Sequence, residues 1–136
     1  ALSDPAGSAL ASYVNTGVLK AEGGSISEGI GSSRVTANFA SAPIDRAWSI
    51  GDEESVPLIH ELVENEGLSV GGSSGVNLAG AIRLARELGP GHTIVTVLAD
   101  AGTRYRAKLF DAGFLAARGL PVPVWLQGGE GREGAP

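Results

Sequence analysis

Two glycine-rich stretches, Val70-Gly-Gly-Ser-Ser-Gly75 and Ala99-Asp-Ala-Gly-Thr-Arg-Tyr105, each follow a strand-like run and precede a helix-like one. Glycine lets the main chain turn tightly, and consecutive backbone N–H groups at a helix start form a positive concavity. Such a turn can hold an anion at the carboxyl edge of an open α/β sheet, where sheets of this class take their ligands. Gly71-Gly-Ser-Ser-Gly75 lacks the Gly-Lys-Ser/Thr of a Walker loop and does not match G-x-G-x-x-G. Read without a ligand, it is a tight strand-to-helix turn capped by Ser73 or Ser74. Asp100 directly follows an apolar run, so its carboxylate either faces the sheet edge or caps the next helix. Glu28-Gly-Ile-Gly31 is a third glycine stretch, either an ordinary loop or one that lets a ligand approach the main chain.

The remaining chemistry-bearing residues point to structure. His60 stands beside Glu61 and Glu64, but a zinc site needs three or four ligands, so a solvated histidine is expected and no metal site is assigned. His92, in a Gly-Pro-Gly-His turn, reads the same way. Trp48 and Trp125 read as packing residues, and Arg83, Arg86 and Glu87 as a solvated helix face. No Ser/His/Asp order with a nucleophile elbow is present.

Composition narrows the class. The 136 residues amount to about one domain, with 43% hydrophobic residues and a net charge of −5. No Lys/Arg cluster supports nucleic-acid binding. No apolar run nears the roughly 20 residues that cross a bilayer. The absence of cysteine removes disulfides and thiolate metal sites and fits the cytoplasm. There is no methionine, and the chain starts Ala-Leu-Ser-Asp-Pro, as if a strand end ran into a helix. The expectation is a segment of a longer polypeptide.

Asp4-Pro5 reads as a helix opening, with the helix passing through Leu10, Tyr13 and Val14 to a stop at Gly17. Ser25–Glu28 and Ala47–Ile50 are short strand candidates. Asp52-Glu-Glu-Ser opens a helix with acidic residues at its favourable end; Pro57 sits a full turn inside if Asp52 caps. Leu58, Ile59, Leu62 and Val63 form its apolar face, and Gly67 ends it. Leu68–Val70 predicts a strand, then a helix from about Ser74 to Leu88 carries Leu78, Ala81, Ile82 and Ala85 at helical spacing. Thr93–Leu98 is a continuous β-branched run, the pattern of a parallel strand buried on both faces. Short helical stretches follow Thr103 and lie near Phe114–Arg118, and residues 127–136 read as a flexible tail after a domain at 1–126. Alternating strands and helices make the fold α/β with mostly parallel strands.

These stretches together resemble a known family. Asp4-Pro-Ala-Gly-Ser-Ala-Leu10, Glu28-Gly-Ile-Gly-Ser-Ser-Arg-Val-Thr-Ala-Asn-Phe39, Gly71-Gly-Ser-Ser-Gly75, Asp100-Ala-Gly-Thr-Arg-Tyr105 and Lys108-Leu-Phe110 occur in the order seen in cysteine synthases. These O-acetylserine sulfhydrylases are pyridoxal-phosphate enzymes of fold type II, close to cystathionine β-synthases and serine/threonine dehydratases. The likeness covers positions 1 to about 126. It implies the carboxy-terminal part of a large domain with a three-layer sheet, completed by an amino-terminal portion of the same enzyme. It also implies a homodimer with a small amino-acid substrate.

The implied reaction makes cysteine from O-acetylserine and sulfide by β-elimination and replacement. Gly29, Ile30 and Gly31 match the loop bordering the substrate. Gly71, Ser73 and Gly75 match the loop flanking the cofactor ring, and Asp100 and Ala101 match the stretch at its pyridine nitrogen. Where the family places a serine that bonds this nitrogen, the chain has Ala101. The family's Schiff-base lysine and phosphate loop lie upstream of the matched region, so no catalytic residue is assigned in this segment. A non-catalytic binding domain is the expectation from another class.

Overall fold

The structure is a computed structural model that describes residues 1–128. Strand β1 (Leu2–Pro5) pairs in parallel with β2 (Ala47–Ile50), Ser3 lying opposite Trp48 and Asp4 opposite Ser49. Successive strand side chains face opposite sides, which sets the layers. Ser3 points to helix α4 (Gly72–Leu88), so closely that a Cβ on Gly80 would collide with the Ser3 hydroxyl. Asp4 points the other way, where its Oδ2 accepts from Ala11 N of helix α1 (Leu10–Thr16) at 2.8 Å. A helix therefore covers each face of a parallel pair, the α/β arrangement that strand–helix alternation predicts.

Asp4 thus satisfies a free N–H at the start of α1 from within a strand, seven residues earlier, and the helix begins at Leu10 rather than at Pro5. Pairing with β2 holds Asp4-Pro5 extended and overrides the local helix-start signal. Gly17 closes α1 at φ +76°, as glycine there suggests. A short helix α2 (Ala37–Ala40) is capped by Thr36, whose hydroxyl accepts from Phe39 N.

Helix α3 (Asp52–Glu66) has Asp52, Glu53 and Glu54 in its first turn and Pro57 inside it. Gly51 occupies the cap position, so Asp52 is free to act elsewhere. Helix α4 starts at Gly72 with no side-chain cap; neither Ser73 nor Ser74 fills that role. Its buried stripe is Gly72, Ser73, Ser74, Gly75, Val76, Ala79 and Gly80, whereas Leu78, Ala81 and Ile82 are only half-buried and Ala85 is exposed. Small side chains let α4 approach both β1 and α3, and that closeness outweighs the bulk of the expected apolar face.

A 3-10 turn (Gly102–Tyr105), α5 (Arg106–Leu109), α6 (Ala112–Ala117) and α7 (Val124–Gln127) follow. Leu109 and Leu115 join Ile26, Val56, Ile59 and Val70 in one core, against which Leu120, Val122 and Leu126 also pack. Fully burying a residue such as Ile59 contributes roughly 1.5–3 kcal/mol. A second core of Ile50, Val76 and Ala79 lies between the sheet and α4. The tail expected at 127–136 lies, from position 129 onward, outside the described residues, and Gln127 closes α7.

Three expected strands are not formed. Ser25–Glu28 is irregular. Leu68–Val70 contributes one antiparallel bridge, Val70 to Ala101. Thr93–Leu98 runs without a ladder partner among the described residues, with Val95 87% and Val97 63% exposed. A strand needs a neighbour to take its N–H and C=O groups, and its β-branched composition alone does not supply one. Between this run and β1 lies an open groove of about 270 Å³ over α4, lined by Ser3, Gly80, Leu84 and Val95 among others.

Candidate functional site

The carboxyl end of β1 opens into a cleft of about 410 Å³ lined by Pro5, Gly7, Ser8, Ser27, Ile30 and Gly31, among others. The loop over this cleft is pinned at both ends. At one end Ser8 Oγ donates to Ser32 O (3.0 Å) and accepts from Ser32 N (2.9 Å). At the other, the Asp52 carboxylate accepts from Ser25 Oγ (2.6 Å) and Ile26 N (2.8 Å). Between these anchors Gly29 and Gly31 have φ +73° and +87°, a left-handed region that other residues enter at a cost. Gly31 has a second constraint: a Cβ there would stand 2.8 Å from Pro5 Cγ and 2.9 Å from Ser8 Cβ. Ile30 lines the cleft and packs on the Ile50–Val76 core. An ion pair between Glu28 and Lys108 ties the loop to α5.

The two glycine turns are bound to each other on the adjoining side. Gly71 N donates to Asp100 O (3.0 Å) and Gly102 N to Ser69 O (3.1 Å). Helix α4 adds Ser74 Oγ, which accepts from Ala99 N (3.1 Å), and Asn77 Nδ2, which donates to Val97 O (2.9 Å). Tyr105 Oη donates to Asp100 Oδ2 at 2.5 Å, and this bond to a carboxylate raises the phenol above its ordinary ionisation range. Asp100 Oδ1 is buried with no hydrogen-bond partner among the described residues. A Cβ on Gly71 would strike it and would lie 2.6 Å from Tyr105 Cε2. Gly72 presses on Ser27, the residue before the Glu28–Gly31 stretch, whose Cα would be 3.2 Å from an added Cβ.

Gly71 lies at the junction of the two turns, and Ser73 is buried in the first turn of α4. Gly75 faces α3, where an added Cβ would be 2.5 Å from Ser55 O and 2.8 Å from Ile59 Cγ1; helix packing accounts for it. Asp100 turns its carboxylate onto Tyr105 and Gly71, while Ala101 is exposed and bridges Val70. A carboxylate at the start of α4 is favourably placed against the helix dipole and opposes a second anion there.

His60 departs from the solvated expectation. It is buried, with Nε2 2.7 Å from Leu109 O and its ring edge-on to Phe110 and Trp125. Since the carbonyl only accepts, Nε2 carries the hydrogen and His60 fastens α3 to the carboxy-terminal elements. Sequence reasoning also missed Ser8, Asp52, Ser74 and Tyr105 as site-builders. Their partners lie 5 to 27 residues away, and for all but Tyr105 no local pattern announces them.

Residues 3–100 match the sequence signature of the family described as pyridoxal-phosphate dependent enzyme. The chain belongs to that family. A cysteine synthase of Dictyostelium discoideum is 44% identical over 124 residues, covering 84% of this chain and 33% of the relative. Cysteine synthase 1 of Emericella nidulans is 40% identical over 132 residues, covering 93% and 36%. The crystal structure of an O-acetylserine dependent cystathionine beta-synthase from Helicobacter pylori superposes with a TM-score of 0.66 at 31% identity, covering 79% of this chain and 32% of that one. The chain spans about a third of the length of the curated relatives it matches.

Pyridoxal-phosphate enzymes need a wall for the ring, an anion site for the phosphate and an amine for the aldehyde. The uncapped start of α4, approached by Ser27 on one side and Asp100 on the other, fits the first need. Asp100 beside that helix end disfavours phosphate at the same place. The sequence has two lysines, and both are engaged. Lys108 pairs with Glu28, and the hydrogen bond that Lys20 donates to the Glu22 carboxylate holds its ammonium protonated to higher pH than usual. Schiff-base lysines require the opposite shift.

Proposed function

We propose that the chain is the carboxy-terminal portion of a pyridoxal-phosphate dependent cysteine synthase, which makes cysteine from O-acetylserine and sulfide. The observation that carries this reading is the close approach of Gly71 to Asp100 and of Gly72 to Ser27, which gathers the two glycine turns and the start of the 28–31 loop, in a chain 40–44% identical to cysteine synthases. Gly71 and Ser73 hold the ring side, with the Ala101 methyl at the ring-nitrogen end. Gly29, Ile30 and Gly31 border the amino-acid substrate. Pyridoxal phosphate, when bound, supplies the electron sink for removing the α-proton and expelling the β-substituent. The chain's own part is to position: its pinned loop confines the substrate and keeps bulk water from the cleft.

The amine and the phosphate site come, in this reading, from the amino-terminal portion of the same polypeptide. The open groove between β1 and Thr93–Leu98 supports it, since an inserted strand would pair both free edges and cover Val95 and Val97. The whole enzyme is read as a cytoplasmic homodimer, a state that sedimentation of the full-length protein checks.

The Helicobacter pylori structure favours a second reading, cystathionine β-synthase. Assaying the full-length polypeptide with O-acetylserine plus sulfide against homocysteine plus either serine or O-acetylserine separates the two. Faster turnover of the first pair is expected; turnover of the second alone would overturn the cysteine synthase assignment. Turnover of neither, with no cofactor bound, would favour a non-catalytic binding domain.

A further inference from the structure

We propose that Asp100 is a positioning residue, a clamp that sets how the two glycine turns face each other and therefore how a ring between them is held. The inference rests on the cofactor reading above and goes beyond it. Four observations meet at this carboxylate. One oxygen is tethered by Tyr105 Oη at 2.5 Å. The other is buried, without a partner, against Gly71. The Asp100 main-chain oxygen takes the Gly71 N–H, so the same residue joins the turns through backbone and side chain alike. Gly71 itself has no room for a Cβ, because the carboxylate and the Tyr105 ring occupy that space.

A buried oxygen without a donor is costly, and burial of this kind persists only where surrounding contacts impose it. Here the imposing contacts are the Tyr105 hydroxyl and the backbone bridge at 69–71 and 100–102. Removing the hydroxyl frees the carboxylate to rotate toward solvent or toward the α4 N–H groups. Either motion shifts the Ala101 turn relative to Gly71. Asp100 acts through these turns, without a direct contact to reacting atoms.

The test uses the full-length protein in its cofactor-free form, titrated with pyridoxal phosphate. Three variants are compared with the parent: Tyr105→Phe, which deletes one oxygen from a half-buried ring, Asp100→Asn, and the double variant. The expected result is a cofactor Kd raised about ten-fold in each single variant. The induced circular dichroism of the bound cofactor should weaken in both. The double variant should bind no worse than Asp100→Asn, because both changes break one contact. Unfolding temperatures of the cofactor-free proteins should stay within a few degrees, which a merely structural role would not combine with altered dichroism.

A Kd within about three-fold of the parent in both single variants would overturn the proposal, as would losses that multiply in the double variant. Should Asp100→Asn fail to fold, Tyr105→Phe alone decides on the same threshold. If the parent protein binds no cofactor, the cofactor reading itself falls and this proposal with it. Binding by the parent with unaltered variants removes only the proposal.

Discussion

Tyr105 and Asp100 carry the most readable electrostatics of the chain. The hydrogen bond to the carboxylate favours the neutral phenol in the folded state, so the folded pKa lies above the ordinary value of about 10. The stabilisation that follows is complete below that ordinary value and disappears as pH rises through the higher one. Following tyrosinate absorbance should therefore show one tyrosine ionising late, and Asp100→Ala should bring that step back toward the ordinary range; an unmoved step would refute the pairing. Gly75 gives a second test at this scale. Its missing Cβ faces the Ser55 carbonyl, which cannot swing away, so Gly75→Ala should destabilise the protein by about 1–3 kcal/mol in denaturant titration. No loss would mean that α3 and α4 are not in the contact described. Gly75 was legible as a special glycine, but its partner was not, because Ser55 and Ile59 belong to another helix.

Elements that end on local chemistry were readable, and those that depend on a neighbour were not. Helices α1 and α3 stop at Gly17 and Gly67, both with positive φ, and β2 occupies the stretch its sequence suggests. By contrast, Asp4-Pro5 carries a helix-start signal yet lies in a strand, because pairing with residues 47–50 decides the matter. Thr93–Leu98 reads as a buried strand, yet it has no ladder partner among the described residues and stays exposed. The 28–31 loop shows the same logic, since its glycines are evident in the sequence while its anchors, Ser8 and Asp52, act across 24 to 27 residues. Two changes test that loop in the full-length protein. Asp52→Ala frees the Ser25–Ile26 end and should raise the KM for the amino-acid substrate several-fold with a smaller effect on kcat. Gly31→Ala combines positive φ with contact against Pro5 and Ser8, and should cost about 1–3 kcal/mol of stability. Unchanged KM in the first variant would show that the anchors do not shape the substrate side.

For the whole molecule, the α/β class and the family were legible because the motifs stand in order in a chain that spans about a third of the length of its curated relatives. In the reading proposed above, one wall and a substrate loop belong to this chain, and a strand from the amino-terminal portion fills the groove beside β1. Expressed alone, residues 1–128 should expose Val95 and Val97 and self-associate, whereas adding the amino-terminal portion should suppress this in light scattering. A stable monomer with no gain from the added portion would count against the shared sheet. The central claim is that these glycine turns line a pyridoxal-phosphate pocket whose amine is supplied from outside this segment. Cofactor stoichiometry of the full-length polypeptide after borohydride reduction tests it directly. One cofactor per chain is expected, fixed to a lysine other than Lys20 or Lys108; no fixed cofactor, or attachment at either of those two lysines, would contradict the claim.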